Sequence, residues 1–274
     1  GGPFRKVLDN KFVGAVMKPF LNMDPFMVAP DEDAPNVWLP EYKCRQLTRE
    51  EIHEYVEAYA QTALLAKNSG IDGVEVHAVH EGYLMDQFTM PYTNHHTDEY
   101  GGSFENRTRF LLNAYRAALS AVTKPGFFLT SRMNAYDGFP YPWGFGVTAE
   151  SGLTPVLDEA VKLADLLKTE FHIPLLNITI GNPYKNPHVN RPYDRGNYVP
   201  DEHPLEGESR MMRCVSTIQK AHPDLPILGS AYTYLRQFSP QLAAGMLKGG
   251  HAQMAGLMRY CTWSESFGKP FRSS

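Results

Sequence analysis

Apolar positions in this chain recur with two periods, and the two alternate. Behind Thr48 and Glu51, a T-x-x-E pair at capping-box spacing, Ile52, Val56, Tyr59, Ala63 and Ala66 fall on one helical face until Gly70 interrupts it. A short run from Val74 to Val76 then reads as a strand. The pair of patterns repeats. Ser103 opens a helix to about Val122, with Phe110, Leu111, Ala114, Ala118 and Ala121 on one face; Phe127-Phe128-Leu129 begins a buried strand ending at Ser131-Arg132. Thr154-Pro155, in the order N-cap then N1 proline, predicts a third helix with Val156, Ala160, Leu163, Ala164 and Leu167 inward, followed by the strand PLLNITIG at 174 to 181. A fourth helix at about 208 to 221 precedes a strand over Pro226 to Ser230. Ser239-Pro240 starts a fifth, and the strand after it runs from His251 to Leu257 and ends at Met258-Arg259.

Helix-then-strand units with continuous apolar strands predict an α/β fold whose parallel sheet is covered on both faces. The strands end in polar or glycine residues: His77 and His80, Arg132, Asn182, Gly229-Ser230, and Arg259. A TIM (β/α)8 barrel gathers functional groups at the C-terminal ends of many strands, whereas a doubly wound sheet concentrates them at one switch point. No G-x-G-x-x-G follows the first strand, so the pattern favours the barrel. A complete barrel takes about 250 residues of regular repeats. Residues 1 to 46 are broken by Pro3, Pro19, Pro25, Pro30, Pro35 and Pro40 and offer one plausible strand, VGAVM at 13 to 17. The expectation is a C-terminal portion of a barrel, about five to six βα units. It would form a single domain over residues 1 to 274, with an irregular N-terminal segment over 1 to 46.

Composition narrows the partners. A net charge of -4 with no dense Lys/Arg run gives no nucleic-acid footprint, and no apolar stretch approaches the roughly 20 residues of a membrane helix. GGPFRKVLDNKF lacks the apolar centre of a signal peptide. Cys44, Cys214 and Cys261 are odd in number and scattered, so neither a disulfide framework nor a Cys-x-x-Cys site is read, and a reducing cytoplasm is the default.

Candidate chemistry concentrates in residues 71 to 110, where His77, His80, Glu81 and Tyr83 crowd one strand end. The motif TDEYGGSFENR, 97 to 107, reads as a structural loop in which Asp98, Arg107 and the glycines pin a tight turn before the helix. GNPYKNPHVNRPYDRG, 181 to 196, follows a strand and carries Tyr184, His188 and Arg191, which favours a substrate lid. Met211, Met212 and Met246 read as helix core. His77, His80, His95, His96 and Asp98 are of metal-ligand type, but their spacing fits no ligand template and no metal is expected.

The stretch GVEVHAVHEGYLMDQFTMPYTNHHTDEYGGSFENRTRF closely resembles the Old Yellow Enzyme family of FMN-dependent ene-reductases. Through SRMN at 131 to 134, LLNITIG, ILGSAY and AGLMR the resemblance extends more weakly over roughly residues 28 to 260. It implies a TIM barrel with FMN across its C-terminal mouth, NADH or NADPH as reductant, and an enone or enoate as the small-molecule substrate. A homo-oligomer would fit the same picture. By resemblance, His77 and His80 hold the substrate carbonyl oxygen, where two imidazole donors stabilise developing enolate charge. Tyr83 stands where the family's proton donor to the α-carbon stands. Arg132 matches the arginine that approaches the flavin ring, and Gly229, Ser230, Gly256 and Arg259 match the phosphate end. The chain has one residue more than the common pattern between His77 and Tyr83, which leaves His80 and Glu81 as alternatives for one substrate-binding role. The lid residues Tyr184 and His188 belong with the substrate. His96 stands where the family motif has an arginine. The E-G-Y triplet is similar to the 2-enoate and 2,4-dienoyl-CoA reductase branch, whose Fe-S cluster and FAD would belong to a longer parent protein. Two other readings stand beside this one: a barrel portion that binds a ligand without turnover, and a histidine-based metal hydrolase.

Overall fold

The computed structural model describes residues 27–29, 44–78, 84–91, 93–122, 126–141, 144–151, 153–183, 186–196 and 198–257. The segment VGAVM lies outside them. Two short strands, β1 (Met27–Ala29) and β2 (Cys44–Gln46), pair in parallel, with Met27 opposite Cys44. This corrects the expectation of one strand in the first 46 residues, because three-residue strands are too short to show a readable alternation.

Helix α1 (Arg49–Asn68) begins at the expected capping box. The Glu51 amide donates to Thr48 Oγ1 at 3.2 Å, and the Thr48 amide donates to Glu51 Oε2 at 2.9 Å. Arg45 of β2 also grips the Glu51 carboxylate, from Nη1 at 2.7 Å and from Nη2, so one side chain caps the helix and ties the small sheet to it. These hydrogen bonds, Arg45 first, pull the Glu51 carboxyl down to about 2. The helix buries Ile52, Ala60 and Ala63, and the chain turns at Gly70, φ +81°, into β3 (Gly73–Ala78).

After β3 come a short helix, α2 (Leu84–Thr89), then α3 (Phe104–Ala121) and β4 (Phe128–Asn134). Ser103 caps α3 by accepting from the Asn106 amide at 3.3 Å, as its position predicts. Tyr115 Oη of α3 donates to the Thr130 carbonyl at 2.9 Å, pinning the helix onto β4. The third long helix, α4 (Asp158–Thr169), starts later than Thr154-Pro155 implies. The Val156 amide donates to the Gly146 carbonyl at 2.8 Å, which holds the chain to the preceding loop and delays the first helical turn to Asp158 and Glu159. Beyond β5 (Leu176–Thr179) lie the single turn α5 (Pro187–Asn190) and α6 (Pro204–Ala221), which begins before residue 208 because Pro204 occupies its first turn. Then follow β6 (Ile227–Gly229), a 3-10 helix (Tyr232–Phe238), α7 (Ser239–Lys248, starting at the expected Ser-Pro) and β7, shortened to Met254–Ala255.

Strands β3 to β7 form one parallel sheet whose spatial order is the order of the sequence. There is no reversal and hence no switch point, so the helices return the chain one strand at a time around an arc, as in a TIM barrel and unlike a doubly wound sheet. The main core lies between this arc and its helices. Leu129, Met133, Leu176, Ile178 and Ile227 of the strands pack against Phe110, Ala114, Ala160, Leu163, Val215 and Ile218 of the helices. Met211 and Met246 are buried and Met212 packs beside them, as read from the sequence.

Candidate active site on the inner face of the strand arc

Alternation along each strand sends one set of side chains to the helices and the other to the concave face. Glu75 and His77 of β3, Arg132 of β4 and Asn177 of β5 belong to the second set, and register aligns His77 with Arg132 and Arg132 with Asn177. The sheet therefore places an imidazole, a guanidinium and a carboxamide in one row near the strand ends. Burial first, and then the Arg132 guanidinium, hold the His77 imidazole below its ordinary value. Both influences favour the neutral ring, in which one nitrogen carries the N–H.

Glu75 and Asp137, the carboxylates nearest Arg132 in the sequence pattern of these strands, are each held by a carboxamide. Asn177 Nδ2 lies 3.3 and 3.2 Å from the two Glu75 oxygens. Asp137 accepts from Asn134 Nδ2 at 2.7 Å and from the Phe145 amide at 2.9 Å, and burial raises its carboxyl. Asp137 thereby folds the loop after β4 back on itself. Asn177 was not singled out by sequence reading; its place two positions before Thr179 on an apolar strand, at the inward parity, was the available signal.

At the far end of the arc the strand ends are glycine. The Gly256 amide donates to the Gly229 carbonyl at 2.8 Å, bringing the ends of β6 and β7 together. A Cβ at Gly229 would lie 2.1 Å from Tyr232 Oη, and one at Gly256 would lie 3.3 Å from the Gly229 carbonyl oxygen. A side chain at Gly229 would point at Tyr232 and at Val215 of α6, and one at Gly256 would crowd the Gly229 carbonyl. Ser230 Oγ donates to Asn177 Oδ1 at 3.5 Å, connecting this end to the polar row.

The loop after β3 is fixed as its motif predicts. Asp98 Oδ1 accepts from the Tyr100 amide at 3.0 Å and meets His96 Nδ1 at 3.1 Å. Arg107 donates to the Gly102 carbonyl at 3.0 Å, the Thr89 carbonyl at 2.6 Å and Glu159 at 2.7 Å. A Cβ at Gly101 would stand 2.0 Å from the His96 carbonyl oxygen, so only glycine lets the two backbones approach. His96, at the family's arginine position, is buried against Phe88 and Tyr100 and touches Gln46 of β2. Among the described residues no three His, Cys, Asp or Glu side chains are grouped to hold a metal.

The loop after β5 is a packed structure. Asn186 Nδ2 donates to the Gly138 carbonyl at 2.6 Å and Asn190 Nδ2 to the Ile180 carbonyl at 2.7 Å. His188 Nδ1 lies 2.6 Å from Tyr198 Oη, its Nε2 lies 3.7 Å from Glu202, and its ring is edge-on to Tyr193 and Tyr198. Arg210 of α6 clamps Glu202 through two 2.6 Å bonds. His188 is thus engaged with Tyr193, Tyr198 and Glu202 of the segment that follows it. Of the other expected site residues, Tyr83, His80, Glu81, Tyr184 and Arg259 lie outside the described residues.

A model of the NADH:flavin oxidoreductase / NADH oxidase family matches residues 21–171, more than half of the chain. Cinnamate reductase of Clostridium sporogenes is 59% identical over 83 residues, which make up 30% of this chain and 12% of that protein. 12-Oxophytodienoate reductase 7 of Oryza sativa subsp. japonica is 39% identical over 133 residues, 47% of this chain and 33% of the relative. A 2-naphthoyl-CoA reductase bound to 2-naphthoyl-CoA superposes with a TM-score of 0.62 at 26% identity, over 85% of this chain and 31% of that one. An Old Yellow Enzyme homologue from Zymomonas mobilis does so with a TM-score of 0.56 at 23% identity, over 88% and 58%. The chain spans well under half of these curated relatives.

Proposed function

The chain belongs to the NADH:flavin oxidoreductase / NADH oxidase family, and from that membership we propose that it forms the catalytic barrel portion of an FMN-dependent enzyme. This enzyme uses NADH or NADPH to reduce the activated C=C bond of an enone or enoate. The observation that carries the reading is the His77–Arg132–Asn177 row, which register aligns across three neighbouring strands near their C-terminal ends.

The donor set fits FMN. Arg132 would set a guanidinium beside a flat heteroaromatic ring, and by their motif positions Gly229, Ser230, Gly256 and Arg259 would lie at the phosphate end. When bound, FMN supplies the hydride chemistry that links the nicotinamide to the alkene. The Arg132 guanidinium provides fixed positive charge beside the ring. Neutral His77, with His80 or Glu81, orients the substrate carbonyl, and an imidazole donor there stabilises charge that develops on its oxygen. Tyr83 delivers the proton to the α-carbon. Tyr184 lies on the lid, and His188 contributes by keeping that lid folded. The names of the relatives, cinnamate and 12-oxophytodienoate reductases, support an unsaturated carbonyl as the substrate class. No helix of the described residues is long and apolar enough to cross a membrane, and the scattered cysteines support a cytoplasmic site of action.

The test is an absorbance spectrum with FMN, followed by anaerobic NADH titration and a panel of cinnamate-type acids and cyclic enones. Bleaching by NADH and recovery with one substrate class are expected; stoichiometric zinc without flavin would refute the reading. Within it, Tyr83→Phe should slow the alkene half-reaction by about 10²-fold or more and leave reduction by NADH nearly unchanged, measured by stopped flow. Equal loss in both halves would remove Tyr83 from its role.

A further inference from the structure

Glu75 stands two residues before His77, so both side chains leave β3 on the concave face. A carboxylate there has two cationic or potentially cationic neighbours in the row, Arg132 on β4 and His77 on its own strand. Its hydrogen bonds nevertheless come from Asn177, across the strand that bears Arg132. Ser230 Oγ donates to Asn177 Oδ1 at 3.5 Å, which orients the amide with its N–H₂ end toward Glu75. Glu75 is exposed, so screening by solvent weakens any pairing with the two cations, and the amide geometry decides where the carboxylate rests.

We propose that Asn177 is a positioning residue that holds the Glu75 carboxylate toward β5 and away from the His77 imidazole. His77 then stays neutral as a donor, and the Arg132 charge stays directed at the ring-binding side of the row. The inference rests on the roles given to His77 and Arg132 above; it gives Asn177 its part in the row and adds Glu75 and Ser230. It agrees with the influences on His77, which are burial and Arg132, both acting to keep the ring neutral.

The test is the His77 titration, followed by NMR on histidine-labelled protein with the signal identified by its loss in His77→Gln. In Asn177→Ala the freed carboxylate should approach the imidazole and raise its pKa by about half a pH unit or more. The double variant Glu75→Gln/Asn177→Ala should return it to the wild-type value. An unchanged titration in Asn177→Ala, or an equal rise in the single and double variants, overturns the proposal, because loosened packing alone acts without Glu75. If Asn177→Ala does not fold, Asn177→Ser carries the same comparison, since its hydroxyl is too short to span to β3. The titration needs no flavin. A chain that fails to bind FMN counts against the proposed function, and the His77 measurement still decides this one.

Discussion

Glu208 shows how far one residue can depart from what its sequence position suggests. It lies on α6, is 4% exposed, and neither of its carboxylate oxygens has a hydrogen-bond partner among the described residues. Burial alone pushes it up to about 7. A carboxyl whose folded value lies above its unfolded value, near 4.5, binds more protons in the folded state, so stability falls as pH rises between those two values. The loss should approach about 3 kcal/mol by pH 8. Urea unfolding at pH 5 and pH 8 should show it in the wild type, and Glu208→Gln should remove that component; an unchanged pH dependence in the variant would place its cause elsewhere. Nothing in the local sequence PLEGESRMM marks this position, since a glutamate in the second turn of a helix is ordinarily solvated.

Elements were legible where their ends carry their own chemistry. Thr48 with Glu51, and Ser103 before α3, announce helices because the cap is local: the donor and acceptor are three residues apart. Thr154-Pro155 also carries a local start signal, an N-cap followed by proline, and fails, because the Val156 amide finds a better acceptor in Gly146, ten residues back. The cap of α1 also does tertiary work through Arg45. Thr48→Ala should cost about 1 kcal/mol in chemical denaturation at pH 7. The Glu51 carboxyl is lowered on folding, so its contribution is complete above pH 4.5 and is lost as the pH falls toward 2. The cost of Glu51→Gln should therefore be smaller at pH 3 than at pH 7, and a cost that does not change with pH would show that the carboxylate is not what the cap uses.

For the whole molecule, the parallel arc brings residues from separate helix–strand units to one concave face, and a ligand that spans the arc bridges all of them. FMN binding to the folded chain alone should raise the midpoint of thermal unfolding, by the equivalent of about 2.7 kcal/mol when free FMN is a hundred times its Kd. Scanning calorimetry across an FMN series checks this; a midpoint indifferent to FMN would argue that the described strands do not make its site. The loop after β5 belongs to this scale too. His188 reads in sequence as a substrate contact, but Tyr198, Glu202 and Arg210, which engage it or its partners, lie 10 to 22 residues further on. Their meeting depends on where α6 packs.

Sequence alone determined the fold class, the alternation of helix and strand, the parallel sense of the sheet, the pinned loop of TDEYGGSFENR and the strand end on which His77 sits. These follow from local periodicity and from contacts between residues close in the chain. Tertiary structure decided what is set by register between strands: that His77 lies beside Arg132 and Arg132 beside Asn177, that Glu75 turns to Asn177, and that two strand ends meet at Gly229 and Gly256. The physical reason is that parallel strands are joined by whole helices, so a one-residue change in pairing, invisible in either strand's own pattern, would move every one of these side chains to the other face.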